Sequence, residues 1–389
     1  MSADGPAAPR AHADDSPRIR VAIVAGLASG GTARHVGGLA AGCQEAGLAV
    51  SVLAPPATLR RLHTDAPAVP LLVGDQPRPV RDARSVARLR RWLAAWRPDV
   101  VHAHGVRAGA LAGLAIAVTR SAARPALVVT VHNAPPEART AALVHAVLER
   151  SCARRADLVL CASADLARRL TARGATAVEQ VDVVAPLGSA PTAAQAAAAR
   201  AELAEAGRPV ILAVGRLASQ KGLDVLVAAA AHWGHREPRP VTVIVGDGPL
   251  AGRLRAQAAG MADGDVRLLG ARDDVPALLA AADVVVVPSR WEARALIVQE
   301  AMQAGRPIVA ARVGGIPDLI GEDGAVLVPP GDPAGLAAAV TALLDDPAAA
   351  ARLGDAALAR AATFPSPDDA LAGMLSRYAR LASRRSRAG

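Results

Sequence analysis

The sequence predicts an α/β protein made of two similar halves, each with a parallel sheet, and three observations carry that expectation. Short apolar runs rich in valine and isoleucine alternate with alanine- and arginine-rich segments along almost the whole chain. Several of these runs end in glycine or proline before a segment of helical spacing, the order of a parallel sheet with crossover helices. The series occurs twice, with the divide near residue 200.

Residues 1–17 carry Ala, Pro, Asp and Ser without periodicity and are expected to form a disordered tail. From Arg18 onward RVAIVAGL, AVSVLAP, DVVHAH, ALVVTVH and DLVLCAS read as strands of a first domain over residues 18–190. Ala108 to Val118 is apolar but too short to span a membrane and is bracketed by Arg107 and Arg120, so it reads as a buried helix. An Ala-rich segment between Pro191 and Pro209 reads as a connecting helix over 191–206. A second series, PVILAVG, VTVIVGDG, VRLLG, DVVVVP, PIVAA and AVLVPP, builds a domain over 207–365. A Pro-Ser-Pro break then leads into a closing helix, Asp368 to Ala382, within residues 366–389.

Composition narrows the function. The chain has 389 residues, enough for two sizeable cores, and with aromatics at 2% those cores must be built from Ala, Val and Leu. The net charge of +9 fits an acidic ligand or an anionic surface. No aromatics interleave with the arginines to stack bases, which argues against nucleic acid. Arginine groups such as Arg88, Arg90 and Arg91 read as solvated faces, and a peripheral contact with an anionic membrane stays open. Cys43, Cys152 and Cys161 are odd in number and lack CxxC spacing, so neither a disulfide framework nor a zinc site is expected. Ile19 to Ala28 has the apolar character of a signal peptide, yet it runs on into a glycine loop and a helix, as a first strand does. A cytoplasmic location follows, with the inner face of the membrane as its alternative. The first glycine loop does not read GxGxxG, which excludes an NAD dehydrogenase.

The chemistry is concentrated in ADVVVVPSRWEARALIVQEAMQAGRPIVAARVGGIPDL, residues 282–319. A strand, Val284 to Val287, ends at Pro288; a loop carries Glu292; a helix with Leu296, Ile297, Ala301 and Met302 on one face carries Glu300; a short strand from Pro307 to Ala310 runs into Gly314-Gly315. Ligands of open parallel sheets sit beyond the carboxyl ends of the strands, where both acids fall. Carboxylates accept several hydroxyl bonds at once, and a helix N-terminus favours an anion, a combination suited to a nucleotide sugar. Independently, Lys221 is the only lysine among 44 basic residues. It stands in VILAVGRLASQKGLDVLVAA with Arg216, at a turn between a strand, Val210 to Val214, and a helix starting near Gly222. Ammonium and guanidinium are two ways of holding one diphosphate.

The first half carries weaker signals. Gly30 and Gly31 lie between strand and helix, where bare backbone can approach a phosphate or simply make a tight turn. His102 and His104 share one face of a strand, but no third ligand is spaced to join them, so no metal site is expected. His104 is nearer the strand end and the better candidate to line a cleft. His132 closes another strand and is as compatible with a structural as with a catalytic role. Trp291 can stack on a sugar or pack its loop.

These motifs resemble those of the retaining glycosyltransferases of family 4, over roughly residues 18–380. The resemblance implies the fold called GT-B, two Rossmann-like domains facing each other across a cleft, the first (18–190) on the acceptor side and the second (207–365) binding the nucleotide sugar, with the C-terminal helix returning to the first half. It implies transfer of a hexose from a UDP- or GDP-linked sugar with retention, with no cofactor and no divalent metal. Arg216 and Lys221 take the roles of the family residues that neutralise the leaving diphosphate. Glu292 holds the donor sugar, Glu300 the ribose, and His132 contacts the sugar near its reacting carbon. Gly30 and Gly31, with Arg34 and His35, resemble the loop that closes over the diphosphate. Gly246, Gly248 and the backbone near Gly270 to Arg272 line the nucleotide. One departure stands out: where the family has Gly-Phe-Gly or similar, this chain has Ala293, Arg294 and Ala295. Arg294 is expected to reach a donor phosphate, with a sugar acid or a blocked pocket as its alternatives. The acceptor, whether sugar, lipid or polyol, is not legible. The rival reading is a non-catalytic nucleotide-sugar-binding subunit, and a hydrolysing sugar epimerase of the same architecture fits the segment from Pro288 to Asp318 less well.

Overall fold

A computed structural model describes residues 18–386 except 29, 75, 120–123, 133–138, 182–189, 261–264 and 322, so the expected tail over 1–17 lies outside the described residues. The chain divides into two compact units, Met1–Pro186 with Pro365–Gly389, and Leu187–Phe364.

The first unit is built on β1 (Arg20–Ala25), β2 (Ala49–Ala54), β3 (Ala68–Pro70), β4 (Val100–His104), β5 (Ala126–Val131), β6 (Leu158–Cys161) and β7 (Val178–Gln180). Its order is β3-β2-β1-β4-β5-β6-β7, all neighbours parallel. The five strands read from sequence are present. The two edge strands β3 and β7 have three residues each, too few to show any periodicity in sequence. The central strands are buried on both faces, which explains their unbroken apolar runs.

Small residues replace aromatics as the means of close packing. On the helix Val106–Ala117, a Cβ at Gly109 would fall 2.7 Å from Val129 and 2.9 Å from the Cys152 sulfur, so only glycine lets this helix lie on β5. The closing helix, Pro367–Ser386, belongs to this unit. Met374, Tyr378 and Leu381, spaced four and three apart, enter the core with Val36, Leu39, Ala40 and Cys43 of the first helix, Gly30–Glu45. Arg377 and Arg380 fasten the same helix to Glu179 of β7 at 2.6 and 2.9 Å. The three cysteines are buried free thiols, each pushed up to about 12 by burial.

The second unit is built on β8 (Val210–Val214), β9 (Val241–Val245), β10 (Val266–Gly270), β11 (Val284–Val287), β12 (Ile308–Ala311) and β13 (Val326–Val328). The order β10-β9-β8-β11-β12-β13 is again wholly parallel, and all six strands match the sequence reading. Apolar clusters cover both faces of the sheet. The helix expected as a connector runs over Ala193–Leu203, opened by a capping box between Thr192 and Gln195. It is part of the second unit, since Ala199 and Leu203 enter that core and Arg200 bonds Asp283 at 2.6 Å. Among the described residues, no single helix is long and apolar enough to cross a membrane.

Candidate functional site

In each sheet the strand order reverses once, between β1 and β4 and between β8 and β11. At such a point the loops leaving adjacent strands diverge and open a crevice at the carboxyl end of the sheet. Lys221 and Glu292 of the second unit and His35 and His104 of the first lie at these two points, whereas Arg272 follows the edge strand β10.

After β8 the chain passes Gly215 and the exposed Arg216, then makes a single 3-10 turn over Ser219–Lys221. Gly222 follows with φ of 60°, and a Cβ there would lie 2.0 Å from the Pro288 carbonyl oxygen. Glycine therefore lets this turn press directly against the end of β11. Arg290 reinforces the contact: its N–H donates to the Gln220 carbonyl at 2.7 Å and its guanidinium grips Asp224 at 2.8 and 2.9 Å. Gln220 in return donates to the Trp291 carbonyl at 2.9 Å. The outcome is that Lys221 Nζ stands 2.6 Å from Glu292 Oε1, with Ser289 Oγ donating to that same oxygen at 2.8 Å.

Glu292 is only 5% exposed, so its charge needs these two donors. Its backbone is fixed as well. Gly314, at φ of 51°, would place a Cβ 1.9 Å from the Glu292 carbonyl oxygen, and the Gly315 N–H donates to that oxygen at 2.9 Å. The loop after β9 closes the arrangement: a Cβ at Gly246 would meet the Gly215 carbonyl at 1.9 Å, and one at Gly248 the Leu217 carbonyl at 2.5 Å. Leu217 bonds Asp247 and Leu250 through backbone groups, each at 2.9 Å. Four loops thus interlock by bare backbone, with a buried carboxylate and an ammonium at their junction. Glu300 lies on the helix Leu296–Gln303 and is partly exposed. The first N–H groups of that helix have no intrahelical acceptor and can meet an anion.

Two arginines read as donor ligands have side chains held elsewhere. Arg272 is clasped by Glu202 at 2.6 and 3.1 Å and by Asp274 at 2.8 and 2.7 Å, which ties the helix Ala193–Leu203 to the loop after β10. These carboxylates hold its guanidinium firmly charged and leave its side chain occupied within this network. Arg294 lies over the ring of Phe364, the only phenylalanine, at 5.1 Å from the centroid, and Arg360 lies 5.5 Å from the same ring. Nothing in its local sequence shows this partner, which is seventy residues away.

At the β1/β4 point of the first unit, Gly30 and Gly31 are already the first two residues of a helix rather than a loop before it. Four histidines gather beside them. His104 closes β4, with ring centroids 5.6 Å from His35, 4.3 Å from His102 and 6.5 Å from His132. His102 is wholly buried and held at both nitrogens, by Tyr378 Oη at 2.6 Å and Thr130 Oγ1 at 2.7 Å. Burial lowers the pKa of His35 and of His132 to about 4 and that of His102 to about 3, and takes His104 well below 6.5. A cavity of about 480 Å³ lies nearby between the first and last helices, with His35, Thr130 and Gln180 among its walls. The sequence reading missed Tyr378 as the partner of His102, and the signal available was that it is the only tyrosine.

Two family models match the chain: a glycosyl transferase 4-like domain over residues 30–188 and glycosyl transferases group 1 over residues 208–346. The alpha-D-kanosaminyltransferase of Streptomyces kanamyceticus is 33% identical over 283 residues, covering 68% of this chain and 72% of that protein. The chain belongs to the group 1 glycosyl transferases. The 2-deoxystreptamine N-acetyl-D-glucosaminyltransferase of Streptomyces fradiae is 34% identical, over 63% of this chain and 65% of its own length. Among solved structures, the transferase resembles the Anabaena protein HepE in complex with UDP and glucose, with a TM-score of 0.78 at 22% identity, covering 92% of this chain and 99% of that one. Sucrose-phosphate synthase of Thermosynechococcus elongatus gives a TM-score of 0.76 at 22% identity, over 94% and 100%. At such identities the likeness shows the fold, and the fold of this glycosyltransferase is GT-B.

Proposed function

We propose that this glycosyltransferase moves a hexose from a UDP- or GDP-linked sugar to a small polyhydroxylated acceptor, with retention at the anomeric carbon and without a divalent metal. The observation that carries the proposal is the Lys221–Glu292 pair, 2.6 Å apart at the switch point of the second sheet. The ammonium has two further N–H bonds to offer a diphosphate, and Arg216 beside it is exposed and has no ion-pair partner among the described residues. Positive charge fixed where the leaving diphosphate develops is what lowers this barrier, and protein cations supply it in place of a metal. Glu292 receives sugar hydroxyls, Glu300 the ribose, and the backbone of Gly246, Gly248 and the loop at Arg272 the nucleotide. The bond from the anomeric carbon to the phosphate oxygen breaks, a bond to the acceptor oxygen forms, and the acceptor proton leaves with the diphosphate.

HepE was crystallised with UDP-glucose, which supports a UDP-sugar as the first donor to try. The names of the relatives that act on 2-deoxystreptamine and D-inositol 3-phosphate support a cyclitol-sized acceptor. The test is to supply UDP-glucose, UDP-N-acetylglucosamine and GDP-mannose with EDTA present, measure nucleotide release, and read the anomeric configuration of the product by proton NMR. An inverted product, or activity lost to EDTA and restored by magnesium, overturns the mechanism.

A further inference from the structure

Lys221 ends a single 3-10 turn, Ser219–Lys221, and a turn this short has little rigidity of its own. Its position is set by Arg290, from the loop after β11. The Arg290 N–H donates to the Gln220 carbonyl at 2.7 Å. One guanidinium nitrogen donates to the Ser219 carbonyl at 2.8 Å and to Asp224 Oδ1 at 2.9 Å, and the other donates to Asp224 Oδ2 at 2.8 Å. Ser219 and Gln220 precede Lys221 in the chain, and Asp224, in the first turn of the helix Leu223–Ala230, follows it, so one arginine brackets the lysine from both sides. Gln220 completes the clasp by donating to the Trp291 carbonyl at 2.9 Å. Arg290 and Trp291 directly precede Glu292, so the clasp ties the turn that carries the ammonium to the loop that carries its carboxylate. With side chains 34% and 27% exposed, an isolated Arg–Asp pair contributes little, but a bidentate guanidinium that also holds a backbone carbonyl fixes orientation as well as distance.

We propose that Arg290 and Asp224 are positioning residues of the transfer reaction, whose clasp holds Lys221 against Glu292 so that the cation and the carboxylate meet the donor as one preformed unit. The inference rests on the roles given to Lys221 and Glu292 above and goes beyond them by assigning what sets their geometry. The Arg290 guanidinium is committed to Asp224 and Ser219, so it acts through the backbone of the turn and not by contact with a phosphate. The role needs an arginine: the compact ammonium of a lysine, on a flexible stem, lacks the planar fork that meets both Asp224 oxygens and the Ser219 carbonyl together. Small displacements matter here, because moving a catalytic group by about 1 Å slows a reaction by as much as roughly a hundredfold.

The single lysine makes the test direct, since the full chain labelled with 15N-lysine has one side-chain ammonium signal. In the wild type that ammonium is expected to exchange its protons slowly, because it is bonded to the buried Glu292. Arg290→Gln and Asp224→Asn are each expected to speed the exchange or erase the signal, and an unchanged signal in both overturns the proposal. In kinetics, nucleotide release is followed with whichever of the three donors above turns over fastest. Each variant is expected to lower kcat roughly ten- to a hundredfold with a smaller change in donor KM, and the double variant to be no worse than either alone. Lys221→Ala separates positioning from general support of the fold: in that background Arg290→Gln is expected to lower kcat no further, and an equal loss in both backgrounds overturns the proposal. Arg290→Lys keeps the charge but not the fork and is expected to lose nearly as much as Arg290→Gln; full activity in Arg290→Lys would show a direct charge effect on the donor and also overturn it. If Arg290→Gln fails to fold, Asp224→Asn, isosteric and on the other side of the clasp, carries the same measurements. A wild-type chain that turns over no donor at all sinks the transferase reading instead, and the ammonium signal then decides the clasp by itself.

Discussion

Lys221 stands out in sequence because it is the only lysine, and in the structure because its ammonium bonds the buried carboxylate of Glu292 in the loop after β11. Lys221→Ala is expected to lower turnover roughly a hundredfold, about 3 kcal/mol in the barrier, with a smaller effect on donor affinity. Nucleotide release under saturating donor measures it, and near-normal turnover removes the residue from the mechanism. Ser289→Ala removes the weaker of two donors to Glu292 Oε1 and is expected to cost about 1 kcal/mol, so its effect must be the smaller one. Arg294 shows where residue-level reading stops. Its place between the acids suggested a phosphate, but its guanidinium covers Phe364, a contact set by how the helix Pro347–Ala361 ends. Arg294→Ala is accordingly expected to leave the ranking of three donors unchanged and to cost about 0.5–1 kcal/mol of stability, matched by Phe364→Leu. A changed ranking, read from nucleotide release, restores the phosphate role.

Elements are positioned here by glycines where backbone meets backbone. Gly314 and Gly331 both have positive φ, 51° and 77°, but a Cβ at Gly314 would strike the Glu292 carbonyl while one at Gly331 meets nothing within 4 Å. Alanine at either position carries backbone strain of about 1–3 kcal/mol, and only at Gly314 is a collision added. Thermal melts of the two variants should therefore differ, with Gly314→Ala the less stable and the only one to lose turnover. Equal melts would show that the loop after β12 can shift without disturbing Glu292. The sequence showed Gly314-Gly315 at a strand end, yet gave no sign of what they touch. A Cβ clash is a property of two segments, and only one of them is in view in a motif.

At the scale of the molecule, the four histidines around the end of β4, two buried and two partly buried, make a prediction about acid. His35, His102, His104 and His132 all have folded pKa values below the ordinary 6.5, because burial penalises the charged ring. As pH falls below 6.5 the unfolded chain takes up protons that the folded first unit cannot, so stability is complete above about 6.5 and declines steadily toward pH 4. Hydrogen exchange of β4 and β5 should accelerate through that window while β8 and β11 stay protected. Equal loss of protection in both sheets would show that the histidine cluster does not govern the acid response.

What the sequence determined by itself was whatever is written in consecutive residues. Unbroken valine runs mark strands buried on both faces, Gly and Pro mark their ends, and two series of them mark two parallel sheets. The segments around Lys221, Glu292 and Glu300 likewise carried their family and their place at strand ends. Only the tertiary structure decided the partners: that Lys221 bonds Glu292, that Arg272 is spent on Glu202 and Asp274, that Tyr378 holds His102, and that His104 is left with no partner among the described residues. The physical reason is that strand and helix propensities are local, whereas strand order and side-chain pairing come from packing residues distant in the chain. In this protein the strand-order reversals at β1/β4 and β8/β11 bring the chemistry together, and no stretch of sequence encodes a reversal.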